Sequence, residues 1–126
     1  MYHVGIDLVE IGRVQMALSR WGDRFLQRVF TPAECERYRD RVPDLAARFA
    51  AKEAVMKALG TGVKGVAWRD IEVLPDEKGK PMIFLYGGAR KRADQLGLTG
   101  LEISLSHSRD YAIASVIGGS SENSDH

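Results

Sequence analysis

Cysteine, net charge and long apolar segments are all scarce in this sequence. Cys35 is the only cysteine among 126 residues, which excludes a disulfide framework and a cysteine-based zinc site. No apolar segment approaches the roughly 20 residues of a membrane-spanning helix, and residues 1–4 show no feature of a secretory signal. The 18 basic and 17 acidic residues leave a net charge of +1, whereas nucleic-acid-binding domains are usually strongly basic. We therefore expect a cytoplasmic protein that binds neither membranes nor nucleic acid.

The order of the hydrophobic patterns predicts the fold class. Helical spacing prevails up to residue 59, and the alternation typical of strands prevails after residue 71. This order predicts an α+β fold in which an antiparallel sheet packs against helices. The length suits one domain, placed at residues 1–117, and the polar residues 118–126 are expected to form a disordered tail.

Capping and turn residues predict where the elements begin and end. Gly22 should interrupt the helix that follows a first strand at residues 4–9, and Asp23 can cap the next helix. Thr31, Pro32 and Glu34 form a capping-box pattern that starts a further helix, which Pro43 should end. The later elements are hairpin strands at 71–74 and 82–86, a helix at 88–96, and strands at 102–107 and 111–117.

A long helix is expected from about residue 44 to residue 59, ended by Gly60. Apolar residues and alanines cover nearly all of its surface, which is typical of a buried helix. Its internal charges therefore need partners, because a buried charge is costly unless it is paired or bound to a ligand. These charged residues are Arg48, Lys52, Glu53 and Lys57.

Asp7 and Glu53 are the candidate metal ligands. Asp7 interrupts an apolar strand, and Glu53 lies in the middle of the buried helix. Two carboxylates suit Mg²⁺, which usually takes one or two of them together with substrate phosphates. The alternatives are structural: Asp7 can cap the following helix in a box with Glu10, and Glu53 can pair with Lys57.

Three further features could bind phosphate or move a proton. Lys57 precedes the loop Gly60-Thr61-Gly62, whose backbone N–H groups could bind an anion, although such a loop is more often only a helix end. His107, the only histidine away from the chain ends, could donate to a phosphate or accept a proton, or could be an ordinary turn residue.

Arginines are concentrated in the first two helices. Arg13, Arg20 and Arg24 lie close to one line of an uninterrupted helix, with Arg28 about 60° away. A solvated charged face is one explanation for this pattern. The neighbouring apolar residues Met16 and Phe25 favour a docking site for an acidic helical partner.

Together these features resemble the holo-acyl-carrier-protein synthase family, the small bacterial type of 4′-phosphopantetheinyl transferase. The resemblance spans about residues 4–117 and is carried by four segments. They are residues 5–14 (GIDLVEIGRV), 48–62 (RFAAKEAVMKALGTG), 76–81 (DEKGKP) and 103–112 (ISLSHSRDYA). The second segment alone is highly specific for the family, whereas the first is specific only when the other segments are also present.

The resemblance implies the 4′-phosphopantetheinyl transferase fold and a defined reaction. The 4′-phosphopantetheine group of coenzyme A would pass to a serine of apo-acyl carrier protein, which releases adenosine 3′,5′-bisphosphate. The family also implies Mg²⁺, with Mn²⁺ as an alternative ion, and a homotrimer whose active sites lie at subunit boundaries.

The same resemblance assigns roles to individual positions. Asp7 and Glu53 match the metal carboxylates, and they are the candidate catalytic residues together with Lys57 and His107. The positions that match the coenzyme-binding segments are Arg48, Lys57, Gly60, Thr61, Gly62 and His107. The positions that match the carrier-docking helices are Arg13, Arg20, Arg24, Phe25 and Arg28.

Three points remain open at the level of sequence. The base that takes the serine proton could be Glu53, a metal-bound water or, less favoured, His107. A non-catalytic module that binds phosphate or nucleic acid could use the same acids for capping and pairing. A metal-dependent phosphoanhydride hydrolase would share Asp7 and Glu53 but would need neither a carrier protein nor the arginines.

Overall fold

The computed structural model describes residues 1–60 and 64–120. Within these ranges a first strand, β1 (Tyr2–Glu10), passes directly into four helices, and two pairs of strands follow on either side of a fifth helix. The helices are α1 (Ile11–Trp21), α2 (Asp23–Val29), α3 (Pro32–Tyr38), α4 (Val42–Leu59) and α5 (Gly87–Leu96). The later strands are β2 (Ile71–Pro75), β3 (Pro81–Leu85), β4 (Leu98–His107) and β5 (Tyr111–Ser120), and a short 3₁₀ helix, Trp68–Asp70, precedes β2. The predicted α+β class is confirmed.

The main sheet has three antiparallel strands in the order β1-β5-β4, and β2 and β3 form a separate antiparallel pair. Alternate residues of β5, such as Ala112 and Ala114, are fully buried, whereas their sequence neighbours Tyr111 and Ile113 are exposed. The pairing register puts Asp7 opposite Ala114, so Asp7 lies on the buried face of the sheet. Helix α4 packs against β1 and β5, and this face is the one that it covers.

Helix α4 is buried on almost every side, as its composition predicts. Beyond Asp44, the only residues of this helix that are not buried are Phe49, Glu53 and Lys57. Their spacing of four residues places them along one side of the helix. The single open side of α4 therefore carries two of the candidate site residues.

Gly5 allows β1 to lie directly on α4. A Cβ atom at this position would be 1.8 Å from the carbonyl oxygen of Ala54 and 3.0 Å from the backbone nitrogen of Ala58. These are backbone atoms of the helix, so no side chain can rotate away to make room. Gly5 therefore sets the distance between the strand that carries Asp7 and the helix that carries Glu53.

Replacing Gly5 with alanine should destabilise the protein by about 3 kcal/mol, because an added methyl in a tightly packed core forces the backbone apart. Gly12→Ala is the matched control, since a Cβ at Gly12 meets nothing within 4 Å and Gly12 lies in α1. Urea denaturation of both variants measures the effect. If Gly5→Ala were as stable as Gly12→Ala, the close packing of β1 on α4 would not be needed.

The charge of Lys52 is satisfied inside the core. Its side chain is completely buried, and its Nζ atom lies 2.8 Å from Glu34 Oε1. Nζ also donates to the backbone carbonyls of Trp68 and Ile71. Burial lowers the pKa of Lys52, while the charge of Glu34 and its hydrogen bond raise it.

Glu34 has two structural roles. As predicted, it closes the capping box at the start of α3, where its carboxylate accepts from the Thr31 backbone N–H at 2.9 Å. Its other oxygen accepts from the Val73 N–H at 2.7 Å, which joins α3 to β2. The Thr31 hydroxyl in turn donates to Glu72, which also accepts from the Tyr86 hydroxyl. This buried network attaches the β2–β3 hairpin to the helices.

Three predicted boundaries are wrong. Helix α3 ends at Tyr38, and Pro43 lies in the first turn of α4, where its missing N–H costs no hydrogen bond. The N-cap of α2 is Gly22, with φ 54°, and Asp23 is the first helical residue. Strand β5 continues to Ser120, whose N–H donates to the carbonyl of Met1, so residues 118–120 belong to the sheet rather than to a tail. The remaining tail, residues 121–126, lies outside the described residues.

No helix in the described ranges 1–60 and 64–120 is long and apolar enough to cross a membrane.

Candidate active site

Asp7 and Glu53 meet where β1 crosses the open side of α4. The carboxyl group of Glu53 is close enough to Asp7 for that acid to raise its pKa. Partial burial and the interaction with Asp7 together raise the pKa of Glu53 to about 7, against the opposing charges of Lys57 and Arg13. Glu53 thus keeps its proton up to near neutral pH, because ionising it places a second negative charge beside Asp7.

Lys57 completes this cluster. Its Nζ atom lies 2.8 Å from Asp7 Oδ1 and donates to the carbonyl of Ile6 at 3.0 Å. The hydrogen bond to Asp7 and the charge of that carboxylate raise the pKa of Lys57. We call Asp7, Glu53 and Lys57 the carboxylate cluster.

The two structural alternatives for these acids are wrong. The N-cap of α1 is Glu10, which has no side-chain capping bond, and Asp7 lies within β1 three residues earlier. Lys57 pairs with Asp7, and no ion pair joins it to Glu53 in the described part of the chain. The two acids are therefore free of the structural roles that the sequence allowed.

A cavity of about 680 Å³ opens beside the carboxylate cluster. One part of its wall is polar and the other is apolar. The polar residues are Asp7, Glu10, Arg13, Glu53 and Tyr111, and the apolar ones are Leu8, Val9, Val14, Ala17, Phe25 and Phe49. The cavity could therefore take a partly apolar ligand whose charged end reaches the two acids.

The cluster has the donor chemistry of a Mg²⁺ site. Within the described residues no group of three or more histidine, cysteine or acidic side chains could hold a metal. Two carboxylates in contact fit Mg²⁺, which keeps several waters and completes its shell with substrate phosphates. A divalent cation would also relieve the repulsion that raises the pKa of Glu53.

Arg48 lies on another side of α4. Its guanidinium stacks 4.0 Å from the centre of the Tyr38 ring, donates to the Tyr38 hydroxyl at 2.7 Å and lies 3.8 Å from Asp44. The side chain is buried, its Nε has no hydrogen-bond partner among the described residues, and burial lowers its pKa. Within one chain, the structure does not bring Arg48 to the carboxylate cluster.

His107 ends β4 and is exposed, with its Nδ1 3.4 Å from the carbonyl of Ser108. It pairs with Ala112 of β5, which in turn pairs with Val9 of β1. His107 therefore lies on the same face of the sheet as Asp7. Its distance from Asp7 is roughly 12 Å, because the two residues are separated by two strand spacings across the sheet and by two residues along β1. It does not line the cavity. Gly60 ends α4 in the left-handed conformation, with φ 73°, and Thr61 and Gly62 lie outside the described residues.

The predicted docking arginines are divided by Gly22. Arg13 lines the cavity beside the carboxylate cluster, and Arg20 is carried by the last turn of α1. Arg24 and Arg28 belong to α2, where they line a second, surface cavity with Phe25 and Trp21. The single line of arginines expected for a continuous helix is therefore replaced by two short segments.

Three residues near the site were missed by sequence reasoning. Phe49 could have been found, since it precedes Glu53 and Lys57 at a spacing of four residues. Tyr111 reaches the cavity because it pairs with Glu10, which requires the strand register. Trp21 lies at the break between α1 and α2, and its position depends on the backbone at Gly22.

Known proteins share this fold and sequence. A family model described as the 4′-phosphopantetheinyl transferase superfamily matches residues 3–116. The chain is 54% identical over 125 residues to a holo-[acyl-carrier-protein] synthase of Herpetosiphon aurantiacus, covering 94% of this chain and 98% of that relative. A second such synthase, from Dehalococcoides mccartyi, is 51% identical over 117 residues, which is 93% of this chain and 98% of the relative.

A solved structure agrees with these relatives. The crystal structure of the Helicobacter pylori holo-[acyl-carrier-protein] synthase in complex with coenzyme A has a TM-score of 0.84 and 33% sequence identity to this chain. The likeness covers 92% of this chain and 99% of that one. The chain therefore belongs to the 4′-phosphopantetheinyl transferase superfamily, a known class of enzyme. Within that superfamily it is a member of the holo-[acyl-carrier-protein] synthases, as the four sequence segments predicted.

Proposed function

We propose that this enzyme transfers 4′-phosphopantetheine from coenzyme A to a serine of apo-acyl carrier protein. The products would be holo-carrier protein and adenosine 3′,5′-bisphosphate. The observation that carries the proposal is the carboxylate cluster at the wall of a cavity, on a chain whose relatives are named for this reaction. The bound coenzyme A in the H. pylori structure supports the choice of donor.

Asp7 and Glu53 are the residues that would hold Mg²⁺. The ion would supply positive charge to the pyrophosphate oxygens as the bond to the leaving phosphate breaks. Lys57, held by Asp7 and the carbonyl of Ile6, would bind a phosphate oxygen as a second positive charge. With the ion held by the two carboxylates, Lys57 would add a second positive charge where the transition state accumulates negative charge.

Glu53 is the proton acceptor that the geometry favours. The pKa of Glu53 of about 7 belongs to the cluster without metal, and a bound cation would lower it. Glu53 is favoured here by its position at the cavity wall. It faces the cavity into which a serine hydroxyl would enter. His107 is exposed outside this cavity in the single chain, which makes it the weaker candidate. Coenzyme contacts by Arg48, Gly60, Thr61, Gly62 and His107 remain part of the proposal.

The carrier protein would bind along α1 and α2. We name Arg13, Arg20, Arg24, Phe25 and Arg28 the docking surface. Arg13 reaches the cavity and Phe25 lines both this cavity and the second one, so the surface leads towards the carboxylate cluster. A cationic surface of this kind would steer an acidic carrier and fix its orientation.

The working unit would be a homotrimer with sites at subunit boundaries. The outer face of the main sheet is uncovered in the described chain and is rich in exposed apolar side chains. They are Tyr2, Val4, Ile6, Leu8, Tyr111, Ile113 and Ile117. A contiguous apolar patch on a sheet face is typical of an interaction site. Because Leu8 and Tyr111 of this face also line the cavity, subunits joined through it would meet beside the carboxylate cluster.

The test is incubation of the enzyme with coenzyme A, Mg²⁺ and an apo-acyl carrier protein, followed by intact mass measurement. The expected result is a carrier that gains one phosphopantetheinyl group and the appearance of adenosine 3′,5′-bisphosphate. Cleavage of coenzyme A without carrier modification would instead indicate a phosphoanhydride hydrolase. Absence of any reaction alongside an active control enzyme would contradict the proposal.

Mg²⁺ binding should weaken about tenfold from pH 8 to pH 6, because the proton on Glu53 must leave before the ion can bind. The raised pKa also affects the stability of the metal-free protein. The protonated carboxyl group of Glu53 stabilises the folded state below about pH 5, and this stabilisation is lost as the pH rises through 7. Calorimetric titration with Mg²⁺ at pH 6, 7 and 8 measures the change and the proton released.

Two variants control this experiment. Glu53→Gln should lose the pH dependence together with most of the affinity. Glu36→Gln, which changes an exposed acid of α3, should bind Mg²⁺ like the unmodified enzyme. An affinity that is constant from pH 6 to pH 8 would show that Glu53 is not a ligand with a raised pKa.

A further inference from the structure

Trp21 stands at the junction of the two helices that form the docking surface. It is the last residue of α1, and Gly22 then turns the chain with φ 54° and ψ −128° into α2. The indole is 49% exposed. Such a large aromatic surface at a helix junction is not needed by the core, since Trp21 is not among the buried or partly buried core residues.

Two arginines of the docking surface stack against this indole. The Arg20 guanidinium carbon lies 5.1 Å from the ring centre, and that of Arg24 lies 6.0 Å away. Both distances are within the range of a cation–π interaction. The indole thus restricts two long side chains that would otherwise sample many rotamers, and it brings together arginines from two different helices.

No acid among residues 1–60 and 64–120 neutralises the charges of these arginines. The only acid between residues 11 and 29 is Asp23, and it forms a 2.9 Å ion pair with Arg39 of the segment after α3. Arg20 and Arg24 form no ion pair with any residue in the ranges 1–60 and 64–120. An unpaired positive charge on either side of an aromatic ring is complementary to an acidic partner.

Trp21 also separates two surface cavities. One, of about 500 Å³, lies on the α1 side and includes Met16 and Arg20. The other, of about 460 Å³, lies on the α2 side and includes Arg24 and Phe25. An apolar side chain that entered either cavity would contact the indole and would have an arginine beside it.

We propose that Trp21 is both a contact and a positioning residue for the carrier protein. Its indole packs against an apolar side chain of an acidic carrier helix, and it holds Arg20 and Arg24 so that they face carboxylates on either side of that side chain. Tryptophan and arginine are the residues most often found at interface hot spots. The inference rests on the proposed function, because it names the part of the docking surface that recognises the carrier.

The experiment measures carrier modification by Trp21→Ala over a range of apo-carrier and salt concentrations. We expect the KM for the carrier to rise about five- to tenfold, as for an interface residue that contributes measurably to binding, with kcat and the KM for coenzyme A unchanged. The dependence of kcat/KM on salt should become flatter, because the arginines are no longer held in place. Trp21→Phe, which keeps an aromatic face, should recover part of both effects.

A double-mutant cycle separates positioning from simple apolar contact. In the Arg24→Ala background, Trp21→Ala should cost much less than it does alone, because one stacked partner is already missing. Arg37→Ala and Met82→Ala, which remove an exposed arginine of α3 and an exposed apolar residue of β3, should change neither KM nor the salt dependence. These controls exclude general effects of surface charge and apolar area.

The outcomes distinguish this inference from the proposed function. If the unmodified enzyme does not modify the carrier, the proposed function itself fails. If it does so and Trp21→Ala keeps the same KM, the role of Trp21 is overturned. A raised KM with an unchanged salt dependence and fully additive effects in the cycle would overturn the positioning role.

Discussion

Asp7→Asn and Glu53→Gln should each lower the rate of carrier modification by about a thousandfold or more, while the protein stays folded. Both substitutions keep the size of the side chain but remove a charge that would bind the metal, and the loss of one preorganised electrostatic group typically costs a factor of 10² to 10³. Loss of the metal itself would add to this. The cluster is partly exposed at the cavity, so neither change opens a hole in the core.

The measurement is the initial rate of carrier mass gain, with circular dichroism and urea denaturation as checks of folding. Asp40→Asn and Glu36→Gln are the matched controls, since both acids are exposed and lie outside the cavity. Raised Mg²⁺ should recover part of the activity of the two site variants, because one carboxylate remains. A variant that kept more than a tenth of the activity would show that its carboxylate does not hold the metal.

The residue types of this site could be predicted from the sequence, but their distances could not. An acid in an apolar strand and another in a buried helix are unusual enough to be noticed. Their contact depends on Gly5, since a Cβ there would lie 1.8 Å from the carbonyl oxygen of Ala54 and would push β1 away from α4. Local patterns contain no information about that approach between segments about 50 residues apart.

The same limit explains why Lys52 had no predicted partner. Glu34 matches a capping box three residues after Thr31, and that local explanation is correct. Its second role, as the buried partner of Lys52, depends on how α3 packs against α4. Trp21 is a similar case, because its stacking on Arg20 and Arg24 depends on the left-handed backbone at Gly22.

Lys52→Met should destabilise the protein by about 3–5 kcal/mol, the cost of leaving one member of a buried ion pair without its partner. Glu34 is completely buried and would keep its negative charge beside a methionine. It would still accept from the N–H groups of Thr31 and Val73, but these neutral donors do not replace a cation. Urea denaturation at pH 8 measures the loss.

A double variant, Glu34→Gln with Lys52→Met, distinguishes unpaired charge from poor packing. We expect it to recover at least half of the lost stability, because no charge is left buried and the amide oxygen can still accept a hydrogen bond. Lys57→Met changes a lysine of the same helix whose ion pair is exposed, and it should move the denaturation midpoint far less. If Lys52→Met alone were as stable as Lys57→Met, the buried pair would not support the fold.

Local opening gives a second signature of the same cause. Since α3, α4 and β2 all meet at Glu34 and Lys52, the hairpin should detach first when the charge is left unpaired, and hydrogen exchange at Val73 should report it.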